Sequence, residues 1–127
     1  MIMFKVLKWR THKDSDEFTN DIALIFPAGY MEPEYGGIAF LPLNKEQLHE
    51  GTLCLVCGWG HSHHSASRDT NSLQGLYVPI INAETCDKLF HIPGTICAGL
   101  ETMAGPSIGD SGGPLRCDNK LAGVVSL

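Results

Sequence analysis

Gly109-Asp110-Ser111-Gly112-Gly113-Pro114-Leu115, near the end of the 127-residue chain, is the stretch from which the rest of the sequence is read. A serine with glycines on both sides sits on a tight turn, its hydroxyl exposed and the neighbouring N–H groups able to converge on one point. An acyl-transfer nucleophile needs just this: an accessible oxygen, and fixed donors for the oxyanion formed when it attacks a carbonyl. Clusters of Gly, Ser, Asp and Pro also mark ordinary loops, so the pentapeptide alone does not decide between the two.

Composition bounds the class. The chain is 43% hydrophobic and 18% charged, the makeup of one globular domain with a core rather than of a disordered segment. Nine Lys and Arg against fourteen Asp and Glu give a net charge of −5, with no basic run to neutralise phosphates. Nucleic acid and membrane are therefore excluded as expected partners. No apolar run approaches the roughly 20 residues of a membrane span. Lys5, Lys8 and Arg10 interrupt the first hydrophobic stretch, so no signal peptide is expected to begin at Met1. Five cysteines, at 54, 57, 86, 97 and 117, lack the paired spacing of a four-cysteine zinc site and point to disulfides in an oxidising compartment. One cysteine must remain unpaired. Disulfides without a leader suggest an incomplete sequence.

Short apolar runs separated by Gly, Pro, Asn and Asp dominate the chain. Residues 4–9, 22–26, 53–57, 76–81 and 121–127 read as strands, an all-β signature, and the whole of 115–127 reads as strand. Residues 82–90 read as a short helix, with Asn82 as cap, Glu84 in the first turn and Cys86, Leu89 and Phe90 at helical spacing. Residues 27–42 carry three prolines and two adjacent glycines and read as an extended connector. Gly-x-Ser-x-Gly also forms the nucleophile elbow of α/β-hydrolases, where a helix follows the serine and the acid and histidine come later in the chain. Here a strand follows and no histidine does, which removes that reading.

The serine segment and Cys117, taken with Asn20-Asp21-Ile22-Ala23-Leu24-Ile25, Cys54-Leu55-Val56-Cys57-Gly58-Trp59-Gly60 and Thr95-Ile96-Cys97-Ala98-Gly99, resemble the trypsin-like serine proteases of the chymotrypsin family. All four blocks stand in that family's order. The resemblance implies an all-β, double Greek-key β-barrel fold, with residues 1–35 a remnant of the first barrel, 36–52 a connector and 53–127 most of the second. It implies Ser111 as nucleophile, the N–H groups of Gly109 and Ser111 as oxyanion hole, and Asp21 as the triad aspartate that orients a histidine. Asp110 resembles the acid that pairs with the N-terminal amine released on activation.

Further assignments rest on the same resemblance. Cys54 matches Cys117 and Cys86 matches Cys97 as disulfides, each contributing roughly 3 to 4 kcal/mol in the loop-entropy account. Cys57 is left as a buried free thiol, and Ser107 stands where many members carry a cysteine that braces the substrate pocket. Gly105 falls at the pocket floor, where trypsin-like members carry an aspartate, so a non-basic substrate side chain is expected. Ser126 and Leu127 match the strand edge that pairs with substrate.

The family's catalytic histidine lies some 45 residues before the aspartate, whereas 20 residues precede Asp21 here. His12 resembles a surface histidine segment rather than the base, so the chain is expected to be inactive alone. His61, His63 and His64 read as a solvated loop, not a metal site, and no cofactor is expected. Both ends lack family parts, and the open barrel is expected to make the isolated chain unstable or prone to aggregate. The resulting expectation is an extracellular, monomeric serine endopeptidase with protein or peptide substrates and protein inhibitors as partners. The alternative is a non-catalytic homologue serving as a binding or regulatory module; a structural fragment is disfavoured by its open edges.

Overall fold

The computed structural model describes residues 3–16, 18–33, 37–61, 72–99 and 105–126. The chain divides into two compact units, Met1–Leu41 and Pro42–Leu127. In the first, β1 (Val6–Thr11) pairs antiparallel with β2 (Ala23–Pro27). The pairing runs from Thr11↔Ala23 through Trp9↔Ile25 to Val6↔Pro27, with an irregularity between Val6 and Lys8. Lys8 places its ammonium 4.9 Å from the Phe26 ring centroid, so the polar residues at 8, 10 and 11 are tied in by ladder and ring contacts. That explains why the strand runs past Trp9, where the apolar pattern ends. The hairpin leaves Trp9 and Ile25, 70% and 67% exposed, side by side on one face.

The connection from β1 to β2 is built on Asp16. Its carboxylate accepts from Phe18 N–H at 2.8 Å, Thr19 N–H at 2.6 Å and the Thr19 hydroxyl at 2.7 Å. These bonds, the Thr19 hydroxyl first, hold the Asp16 carboxyl below its ordinary pKa. Between β2 and the next strand the described residues form no helix or named strand, in keeping with the proline-rich sequence of 27–42.

The second unit is a four-stranded antiparallel sheet in the order β4-β3-β5-β6, formed by β3 (Leu53–Gly58), β4 (Gln74–Pro79), β5 (Pro114–Cys117) and β6 (Lys120–Val124). Alternation along each strand sends Cys54 and Val56, Val78, and Leu115 and Cys117 to one face. With Ile80 they form the buried core, against which Leu48, Leu76, Ala98, Ala122 and Val125 pack. Cys54 lies opposite Cys117 in the register and the two are joined, with Cα atoms 4.4 Å apart. Cys57, on the opposite face of β3 from Cys54, is half-buried and unpaired, not buried as the sequence suggests.

The all-β expectation holds, and closure into a barrel is not seen among the described residues. One difference is instructive. Residues 115–127 read as a single strand but fold as a hairpin, because Asp118 and Asn119 both adopt positive φ, 46° and 59°, between the paired Cys117 and Lys120. Two left-handed residues make the tight turn whose twist matches its strands, and Asp and Asn tolerate that conformation. Arg116 hydrogen-bonds the Asn119 side chain across it.

Helix α1 (Ala83–Phe90) begins as its sequence predicts. Asn82 accepts from Thr85 N–H at 2.8 Å and donates to Glu50 at 3.2 Å, while His91, at φ 54°, ends the helix in the left-handed region. Replacing Asn82 with alanine should cost about 1 kcal/mol, read as a lowered urea midpoint with unchanged slope. The Cys86–Cys97 disulfide fastens the helix to the segment that follows it. That segment joins the sheet through Ile81 N–H to Cys97 C=O at 2.9 Å and an isolated Ile80↔Ala98 bridge.

Lys120 pairs with Glu46 at 2.8 Å, tying residues 42–46 to β6 alongside Asn44 N–H to Leu121 C=O at 2.8 Å. The Lys120 hydrogen bond and charge hold the exposed Glu46 carboxyl below its ordinary pKa. A lowered carboxyl stabilises above its unfolded pKa and ceases to do so as pH falls through the folded one. The difference in urea midpoint between the parent and Glu46→Gln should thus be present at pH 7 and vanish below about pH 4.

Candidate active site

Two consecutive turns make the serine loop. Asp110 N–H donates to Ser107 C=O at 2.9 Å, and Gly113 N–H donates to Asp110 C=O at 2.8 Å. Each turn has glycine at its third position, Gly109 at φ 97° and Gly112 at φ 85°. A residue bearing Cβ is strained there, which explains the glycines on either side of the Asp110-Ser111 pair. The loop is fixed to the end of the sheet by Gly112 N–H to Val125 C=O at 2.7 Å and Val125 N–H to Gly113 C=O at 2.9 Å. Ser111 is exposed on the second turn. Neither the Gly109 nor the Ser111 N–H donates to a carbonyl among the described residues.

Asp110 is the best-anchored side chain of the loop. One carboxylate oxygen accepts from Gly60 N–H and the other from Ser107 N–H, each at 2.9 Å. Gly60 ends the Gly58-Trp59-Gly60 stretch that leaves β3, and His61 N–H donates to Ile108 C=O at 2.9 Å. The loop is therefore held from two sides. Asp110 stands out in the sequence, whereas Gly58, Gly60 and the Ser107 N–H do not show there as its surroundings; the Gly-x-Gly spacing is the signal they leave.

The remaining candidates are placed as follows. Asp21 is exposed in the first unit just before β2, after Asn20 at φ 53°, and takes part in an interaction. His12 lies at the end of β1's hairpin partner ladder, its N–H donating to Ile22 C=O at 3.1 Å and its Nδ1 accepting from Asp14 N–H at 3.2 Å. Gly105 is exposed, and a Cβ built on it would meet nothing within 4 Å. Ser126 is half-buried and engaged, while Leu127, His63 and His64 lie outside the described residues. Among the described residues no three His, Cys, Asp or Glu side chains gather as a metal site, and no helix is long and apolar enough to cross a membrane.

Comparison with known proteins agrees with these blocks. The sequence model of the family described as Trypsin matches residues 2–127. Human "Transmembrane protease serine 5" is 36% identical over 100 residues, 71% of this chain and 22% of that protein. "Trypsin-1" of Salmo salar is 44% identical over 82 residues, 60% of this chain and 33% of its own. Human "Kallikrein-14" is 34% identical over 130 residues, 98% of this chain and 48% of its own. The chain spans at most about half the length of these curated relatives.

Proposed function

The chain belongs to the trypsin family and is a serine protease by family, and from that premise we propose that it carries the nucleophile and acid of an endopeptidase acting through an acyl-enzyme on Ser111. The observation that carries the reading is the glycine-flanked double turn presenting an exposed Ser111 beside two N–H groups that donate to no carbonyl among the described residues. In this reading Ser111 Oγ attacks the substrate carbonyl and its proton passes to a histidine base. The N–H groups of Gly109 and Ser111 receive the oxyanion, and the amine leaves with the histidine's proton. Water then takes the place of the amine and returns the enzyme. Asp21 orients the base.

In this reading no histidine of residues 1–127 serves as the base. His12 is a poor substitute, because its Nδ1 is occupied by Asp14 N–H within the hairpin loop. Residues 1–127 alone are accordingly inactive. Gly105 itself carries no charge that would neutralise a basic substrate side chain, which favours a small or apolar one. Ser126 and Leu127 are proposed to pair with the substrate backbone. Two disulfides support a location outside the cell, with protein substrates and protein inhibitors as the partners this reading proposes.

A fluorophosphonate probe tests the reading, since it labels only an activated serine. Labelling of the complete natural protein at Ser111 is expected. An unlabelled, folded and proteolytically matured protein would contradict it and favour a non-catalytic binding module.

A further inference from the structure

Glycines around the serine loop fall into two physical kinds. Gly109 and Gly112 need positive φ, whereas Gly58, Gly60 and Gly113 have ordinary torsions and are limited by space. A Cβ on Gly58 would lie 2.0 Å from Asp110 Oδ1 and 3.0 Å from its Cγ. A Cβ on Gly60 would lie 2.6 Å from Asp110 Cγ and 2.7 Å from both oxygens. No real Cβ tolerates such approaches. In each case the atom met first is the carboxylate, which a side chain would push out of its place.

We infer that Gly58 and Gly60 form a side-chain-free slot filled by the Asp110 carboxylate, and that they act as positioning residues for the oxyanion donors at Gly109 and Ser111. The inference rests on the hydrolytic reading above. Within the slot, Gly60 and Ser107 N–H groups each take one carboxylate oxygen, which fixes the orientation of Asp110 between the two donor residues. The backbones also approach closely enough to leave no room for a side chain: a Cβ on Gly109 would lie 3.1 Å from the Gly60 Cα. Displacing the carboxylate breaks both bonds and releases the peptide planes on either side of Asp110. An oxyanion hole depends on donors held in advance at the right place, so the effect falls on the transition state rather than on substrate binding.

A double-mutant cycle in the complete natural protein tests this. Gly58→Ala should lower kcat about 100-fold, the scale of losing one oxyanion donor, with KM changed less than about threefold. In an Asp110→Ala background the same substitution should cost less than about threefold, because the next atom its Cβ meets is the Asp110 Cα at 3.4 Å, an ordinary contact. A glycine needed only for strand folding would give multiplying losses. Amide exchange supplies a readout independent of catalysis: Gly60 and Ser107 N–H should be protected in the parent and exchange at least tenfold faster in both single variants.

Losses that multiply, or unchanged kcat and protection in Gly58→Ala, would overturn the inference. If Gly58→Ala does not fold, Gly60→Ala runs the same cycle, and recovery of folding by Asp110→Ala supports the slot whereas no recovery contradicts it. Should the parent resist the fluorophosphonate, the hydrolytic reading fails by itself and the exchange measurement alone decides the slot.

Discussion

Replacing Ser111 with alanine should reduce kcat for peptide hydrolysis by the complete protein about 10⁶-fold while leaving KM within a few-fold. The reason is chemical rather than structural. Ser111 is exposed, and its loop is held by the backbone bonds of Ser107, Asp110, Gly112 and Gly113, none of which uses the serine hydroxyl. Removing the oxygen deletes the atom proposed to form the acyl bond and leaves the two N–H donors where they are. Thermal unfolding should consequently be unchanged within about 1 °C, so the lost rate cannot be charged to lost fold. Asp21→Asn should behave differently, with a loss of about 10⁴-fold, because an amide holds the base in the wrong tautomer without removing any reacting atom. Equal and small losses for both variants would contradict the proposed roles.

Removing the disulfide between Cys54 and Cys117 should produce the largest loss of stability. The bridge closes a loop of sequence separation 63. Loop entropy alone then gives about 4 kcal/mol, against about 3 kcal/mol for the separation of 11 between Cys86 and Cys97. Position widens the gap. Cys54 is 0% and Cys117 2% exposed at the centre of the sheet core, between Val56, Val78 and Leu115, so alanine at both also leaves unfilled volume there. The pair Cys54→Ala/Cys117→Ala should lower the melting temperature by about 10 °C or more, and Cys86→Ala/Cys97→Ala by less. Calorimetry of the two double variants decides the order, and the reverse order would contradict the assignment of the core to the β3–β5 pair.

Which parts of the fold were legible follows from how local their physics is. Asn82 marks a helix start because its side chain caps an N–H three residues away, a contact inside the reach of the sequence pattern. Strands β1 to β3 show as apolar runs; in β3 the residues that bury a face, Cys54 and Val56, recur at every second position, whereas β1 is exposed along its length. The β5–β6 hairpin was hidden: Leu115 to Cys117 and Leu121 to Val125 look continuous, and only the φ of Asp118 and Asn119 separates them. Likewise Ser111 and its flanking glycines announce a constrained turn, but one of the two partners of Asp110, Gly60, lies 50 residues away, and a bond of that span leaves no periodicity to read. Half-burial of Cys57 follows from its sharing a face with Leu55 rather than with Val56, a matter of strand register.

The acyl-enzyme itself is the most direct object to measure. Incubating the complete, matured protein with a slowly deacylating ester, quenching in acid and recording the intact mass should reveal one added acyl group. Peptide mapping should place it on Ser111, and Ser111→Ala should carry none. Hydrolysis without any acyl adduct, or an adduct on another residue that persists in Ser111→Ala, would contradict the account.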